Sequence, residues 1–118
     1  MKFKSIDARL VEPTVKIHEF EDGDYSIRRV ILSWVEKAVY DENHWVMYIK
    51  CPGCEVIRCD LSIDPKENPR RGYQGKYWFW NGNHQKPTLK PSIGVNDGEG
   101  QPYRWHGFLT DGRLEACE

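Results

Sequence analysis

The dipeptide Asp111-Gly112 lies between two stretches of alternating character, YRWHGFLT (103–110) and RLEAC (113–117). Such a pair is a strong signal for a two-residue hairpin loop, because both central residues of that turn need positive φ. A loop of two residues leaves no freedom in register, since slipping one strand by one residue would turn every side chain to the other face. Thr110 is therefore expected to face Arg113, Leu109 to face Leu114, Phe108 to face Glu115, Gly107 to face Ala116 and His106 to face Cys117. Opposed residues hold their Cβ atoms about 4.5–5.5 Å apart on one face. A zinc ion bound at about 2.0–2.1 Å to imidazole and about 2.3 Å to thiolate fits across a His–Cys pair at that spacing.

The other half of a tetrahedral shell stands at residues 51–54, CPGC. A C-x2-C turn places two thiolates on one side of a tight loop. A redox pair would open a helix whose amino terminus lowers the first thiol's pKa. Here EVIRCDLSI, which follows, reads as a strand. The spacing thus predicts one structural Zn2+ held by Cys51, Cys54, His106 and Cys117, closed to water and therefore without hydrolytic chemistry. Cys59, on the outgoing strand, is the rival ligand and reads more simply as a buried thiol. His18, His44 and His84 sit among acidic, turn or polar residues and read as surface groups.

A staple of this kind suits the chain. Its 118 residues point to one domain, and only 39% of them are hydrophobic although aromatics reach 13%, with five Trp and six Tyr. A small, aromatic-rich core of that size profits from a metal clasp. The formal charge of −1 argues against a general nucleic-acid or membrane-surface binder. Its distribution is uneven: from Lys66 to Lys90 six basic residues meet Glu67 alone, while the first 65 residues carry nine basic and twelve acidic groups. No apolar run approaches the ~20 residues of a membrane helix, and MKFKSIDARL lacks the apolar core of a signal peptide. The expected setting is a reducing cytoplasm, where thiols bind metal more readily than they pair.

Along the chain, SIDARLVEPTVKIHEF (5–20) suits short extended segments and EDGD (21–24) a turn. YSIRRVILSWVEKAVY reads two ways. Ile27, Val30, Ile31, Trp34, Val35, Ala38 and Val39 follow a helical stripe, which favours an amphipathic helix at about 26–40. The same stretch is rich in β-branched and aromatic residues and could instead form a hairpin with WVMYIK. From residue 45 the pattern is β. HWVMYIKC enters the CPGC tip and EVIRCDLSI leaves it; 65–75 is a loop; KYWFW meets a two-residue turn signal at Asn81-Gly82. PTLKPSIGV, with two prolines, must be an edge or bulged strand. The fold class is mainly β, zinc-stapled antiparallel sheets and hairpins, in one domain over 1–118 with its core in 45–118.

Aromatic and basic residues interleave between 73 and 105. Arg70, Arg71, Tyr73, Lys76, Trp78, Trp80, Lys86, Lys90 and Arg104 form the expected binding surface, since exposed aromatics with arginine suit protein hot spots and single-strand stacking platforms. No Ser-His-Asp spacing, phosphate-cradling glycine loop or paired carboxylates stand out, and no catalytic residue is named.

CPGC, WFWNGN, KPTLKPSIGV and WHGFLTDGRLEAC together resemble an uncharacterised family of small phage and prophage proteins, often labelled ammonia monooxygenase. Its members carry a CPGC knuckle, a W-x-F/W-N-G strand, a P-T-x-x-P-S segment and a C-H-x-F-x-x-D-G-R-I hairpin followed by a cysteine. The resemblance covers roughly residues 45 to 118. It matches Cys51, Cys54, His106 and Cys117 to the family pattern, and Trp105 stands where many members have a cysteine. It implies a viral origin, hence a non-enzymatic zinc-binding phage accessory protein that binds a host protein in the host cytoplasm. The alternative is a nucleic-acid-binding zinc protein using the 66–105 region, and a metal-dependent hydrolase ranks third.

Overall fold

WVMYIK and VIRCDLS owe their pairing to the turn between them. Cys54 N–H donates to the Cys51 carbonyl at 3.0 Å and Gly53 takes φ 73°, so the CPGC tip folds the chain back on itself. The strands on either side are β4 (Trp45–Lys50) and β5 (Val56–Ser62), antiparallel from Lys50↔Val56 to Trp45↔Leu61. The computed structural model describes residues 3–29, 45–63 and 77–117. Among these, the remaining strands are β1 (Ile6–Asp7), β2 (Arg9–Leu10), β3 (Asp24–Arg29), β6 (Tyr77–Trp80), β7 (Leu89–Lys90), β8 (Ile93–Asn96), β9 (Tyr103–Thr110) and β10 (Arg113–Ala116). A single 3-10 turn spans Ile17–Glu19.

They make two sheets, one ordered β1-β10-β9-β8 and the other β2-β3-β4-β5-β6-β7. One core joins them. Tyr25, Met47, Ile49, Cys59, Trp80 and Leu89 of the larger sheet, with Cys51 just after β4, cluster with Ile93, Trp105, Leu109 and Leu114 of the smaller. This core is aromatic-rich, as the composition implies, and its rings have partners for their polar ends. Trp105 Nε1–H donates to the Lys4 carbonyl at 2.8 Å, and the Tyr25 hydroxyl donates to the His84 carbonyl at 2.6 Å. Residues before 30 are built into both sheets, β1 against β10 and β2 against β3.

The helix favoured over 26–40 is corrected where the structure describes it. Residues 24–29 are β3, antiparallel to β4 with Tyr25↔Ile49, Ile27↔Met47 and Arg29↔Trp45; residues 30–40 lie outside the described residues. The i, i+3, i+4 stripe coincided with a β-branched run, and pairing with the apolar β4 decided between them. The Asn81-Gly82 turn is also corrected. A two-residue loop would set Trp80 opposite Asn83, whereas Trp80 pairs with Leu89. The loop is longer because two asparagines organise it from inside: Asn81 Oδ1 accepts from the N–H groups of Asn83 and Thr88, and Asn83 Oδ1 from those of Gln85 and Lys86.

PTLKPSIGV behaves as its prolines require. It divides into two edge strands, β7 on the larger sheet and β8 on the smaller, with Pro91 and Ser92 at the crossing. The terminal hairpin keeps the register read from Asp111-Gly112. Thr110↔Arg113 through Gly107↔Ala116 are paired, Asp111 and Gly112 have φ 49° and 78°, and Cys117 N–H donates to the His106 carbonyl at 2.8 Å.

Candidate active site

On β9 the inward positions Trp105, Gly107 and Leu109 are buried, so His106 projects from the opposite, outer face. Directly across from it on β8 is Gly94. Ser92, two residues earlier and on the same side of the chain, becomes the diagonal neighbour of His106. Its Oγ lies 3.1 Å from His106 Nε2. The pair opens into a cavity of about 330 Å³ lined by Trp78, Ser92, Gly94, Asn96, Tyr103 and His106.

Three side chains hold this corner. Trp78 Nε1–H donates to the Ser92 carbonyl at 3.3 Å, which ties the serine's backbone to β6 of the other sheet. The Tyr103 ring stacks on His106, centroids 4.4 Å apart and planes 14° from parallel. Arg104 donates to the Gly53 carbonyl at 3.1 Å and to Asp97 at 3.4 Å, fastening the CPGC tip beside the start of β9. A serine hydroxyl within hydrogen-bond reach of an imidazole is the arrangement by which a weak nucleophile is activated by an adjacent base. A larger cavity, about 490 Å³, is lined among others by Ile17, Phe20, Val56 and Cys54. Its one thiol is a poor nucleophile, because burial raises the pKa of Cys54.

The residues expected to share zinc are brought together only in pairs. Cys51 and Cys54 adjoin in the knuckle, and His106 and Cys117 are opposed in the hairpin. Among the described residues no three His, Cys, Asp or Glu side chains form a group able to hold a metal ion. Cys51 is turned into the core beside Cys59, while His106 stands on the far face of the other sheet and bonds Ser92. Burial first, then the neighbouring Cys54, pushes the Cys51 thiol up to about 12, and burial with the neighbouring Cys51 raises Cys59.

The expected binding surface is likewise divided. Trp80 is a core ring, 3% exposed, whose Nε1–H donates to the Asn83 carbonyl. Trp78 lines the cavity, Arg104 braces the knuckle, and Lys86 and Lys90 are exposed. Arg70, Arg71, Tyr73 and Lys76 lie outside the described residues. The sequence reading named no catalytic residue because Ser92 and His106 answer to no familiar spacing and meet only through the fold. Ser92 ends the P-T-x-x-P-S segment and His106 opens H-x-F-x-x-D-G-R, two polar positions of which one was assigned to metal and the other to nothing.

No curated protein and no solved structure matches the chain. The model of the BubE family, described as a bacterial ubiquitination-like system serine protease, matches residues 25–117. That match corrects the reading as an uncharacterised phage and prophage protein, and with it the viral, zinc-dependent, host-binding accessory role and the nucleic-acid-binding alternative. A peptidase family also overturns the expectation of a non-enzyme and replaces metal-dependent hydrolysis with serine chemistry. With 25–117 matched, both Ser92 and His106 included, the chain belongs to the BubE family of bacterial ubiquitination-like system serine proteases.

Proposed function

We propose that this chain is a serine peptidase in which Ser92 is the nucleophile and His106 the general base, acting on a protein of a bacterial ubiquitination-like system. The observation that carries the reading is the 3.1 Å approach of Ser92 Oγ to His106 Nε2 in a surface cavity, inside the family-matched region. Mechanistically, the Ser92 hydroxyl donates to Nε2, which fixes the working tautomer as Nδ1–H. As Oγ attacks the scissile carbonyl its proton passes to Nε2, and the tetrahedral intermediate then collapses by breaking the C–N bond. The leaving amine takes the proton back from His106, and the acyl group remains on Oγ. Water, deprotonated by the same nitrogen, releases the new carboxylate and restores the serine.

A serine protease of a ubiquitination-like system implies protein partners, so the substrate is expected to be a protein. Among the described residues no helix is long and apolar enough to cross a membrane. A fluorophosphonate probe tests the chemistry without knowledge of the substrate. Intact-mass and peptide mapping should place one phosphonyl group on Ser92, and Ser92→Ala and His106→Gln should both prevent it. A wild-type protein that stays unmodified, or a Ser92→Ala variant that is still modified, overturns the assignment.

A further inference from the structure

The Ser92–His106 pair has no acidic third member in view: among the described residues, the His106 ring's hydrogen-bond partner is Ser92 alone. One hydrogen bond leaves an imidazole free to turn about its side-chain torsions, and a base must be held in line with the proton it removes. Something else orients this ring. Tyr103 lies against it in near-parallel stacking, at 4.4 Å and 14°.

That contact depends on a break in the β8–β9 ladder. Ile93↔Gly107, Gly94↔His106 and Val95↔Trp105 are in one register, but Asn96 pairs with Tyr103, so β9 carries one extra residue, Arg104. In an unbroken strand, residues 103 and 106 would point to opposite faces. The bulge restores Tyr103 to the face of His106, which is the re-aiming that bulges beside active sites perform. Arg104, the inserted residue, is anchored to Gly53 and Asp97.

Gly94 completes the fit. A Cβ built there would come within 2.4 Å of Tyr103 Cε1, so the tyrosine ring occupies the space a side chain would take. Gly94 is not among the glycines with positive φ. Its smallness serves the ring and not the backbone.

We infer that Tyr103 is the positioning residue of the Ser92–His106 pair, its flat ring, seated over Gly94, orienting the imidazole as a carboxylate does in a triad; this rests on the peptidase reading above. The ring face also favours the imidazolium that forms when His106 takes the serine proton, since an aromatic face attracts a cation. Tyr103 is 47% exposed, so its replacement should leave the fold intact.

The test measures the rate of fluorophosphonate modification of Ser92, separated into probe affinity and maximal rate, for wild type, Tyr103→Phe, Tyr103→Leu, Gly94→Ala and the Tyr103→Leu/Gly94→Ala double variant. Tyr103→Phe keeps a flat ring and should label at close to the wild-type rate. Tyr103→Leu should lose about 10–100-fold in maximal rate with affinity little changed, the scale expected when a catalytic group is misplaced by about 1 Å. Gly94→Ala, which displaces the ring, should lose as much, and the double variant no more than either. Nitrogen-15 spectra of the imidazole should show one tautomer in wild type and Tyr103→Phe and a mixture in Tyr103→Leu. Equal rates and spectra for Tyr103→Leu and wild type overturn the inference while leaving Ser92 and His106 in place. Tyr103→Phe as slow as Tyr103→Leu also overturns it. A wild-type protein that does not label overturns both readings together.

Discussion

Ser92 Oγ and His106 Nε2 stand 3.1 Å apart although they lie fourteen positions apart in the chain. Two features close that gap: the crossing from β7 to β8, which leaves Ser92 at the seam between the sheets, and the β8–β9 ladder, which sets Gly94 opposite His106.

If the two residues act as a unit, their losses should not add. Ser92→Ala and His106→Gln should each reduce peptidase turnover by roughly 10³-fold or more, and the double variant should be no slower than the worse single one. His106 projects from the outer face of the smaller sheet and Ser92 sits beside it at the β7–β8 crossing, both only partly buried, so thermal midpoints should stay near wild type. Steady-state kinetics beside circular dichroism melts would check both halves, and additive losses would separate the two roles.

Trp78 acts at one remove, through the Ser92 carbonyl. Trp78→Phe keeps most of the ring and deletes the N–H donor. Stability should fall by about 1 kcal/mol, the scale of one hydrogen bond. Turnover should fall by about tenfold, because the serine backbone is no longer tied to β6. Unchanged turnover would show that the crossing holds Ser92 without this bond.

Gly107 and Gly94 offer a contrast in what a methyl group meets. At Gly107 a Cβ would lie 2.2 Å from the Glu115 carbonyl oxygen and 2.6 Å from the Trp105 ring, both fixed in the core hairpin. Gly107→Ala should therefore cost roughly 1–3 kcal/mol or more in urea unfolding. At Gly94 the obstacle is the end of an exposed tyrosine, which can swing away. Gly94→Ala should spare stability and injure rate.

The CPGC tip carries an acid-sensitive tie. Asp22 accepts hydrogen bonds from Lys50 and from the Gly53 N–H, and the Lys50 bond above all holds its carboxyl below the ordinary 3.8. A folded-state pKa below the unfolded one gives stability that is present above pH 3.8 and lost as pH falls through the folded value. The Asp22 side chain is 46% exposed, so screening keeps the effect under about 1 kcal/mol. Melting curves between pH 6 and 3 should show a shallower acid-side decline for Asp22→Asn than for wild type. Parallel declines would remove Asp22 from the acid response.

Much of the β architecture was legible because turn chemistry and period-two alternation are local. Asp111-Gly112 set the pairing of Leu109 with Leu114, CPGC set β4 against β5, and two prolines confined PTLKPSIGV to sheet edges. Residues 25–29 were misread because an apolar stripe at helical spacing also fits a strand, and only their partner, β4, distinguishes them. His106 was recognised as chemically significant through the hairpin that brings it opposite Cys117; its contact with Ser92 was not, because Ser92 reaches the ring only through the β8–β9 ladder.

By itself, the sequence determined the Asp111-Gly112 hairpin with its register, the turn at CPGC and the edge positions, since each depends on a few adjacent residues and the geometry of one turn. Only the tertiary structure decided how strands divide between two sheets, that Cys51 is buried beside Cys59, and that a bulge at Arg104 brings Tyr103 onto His106 beside Ser92. Those outcomes follow from which apolar faces share a core and which ladder must absorb one extra residue, and both are settled by contacts between segments far apart in the chain.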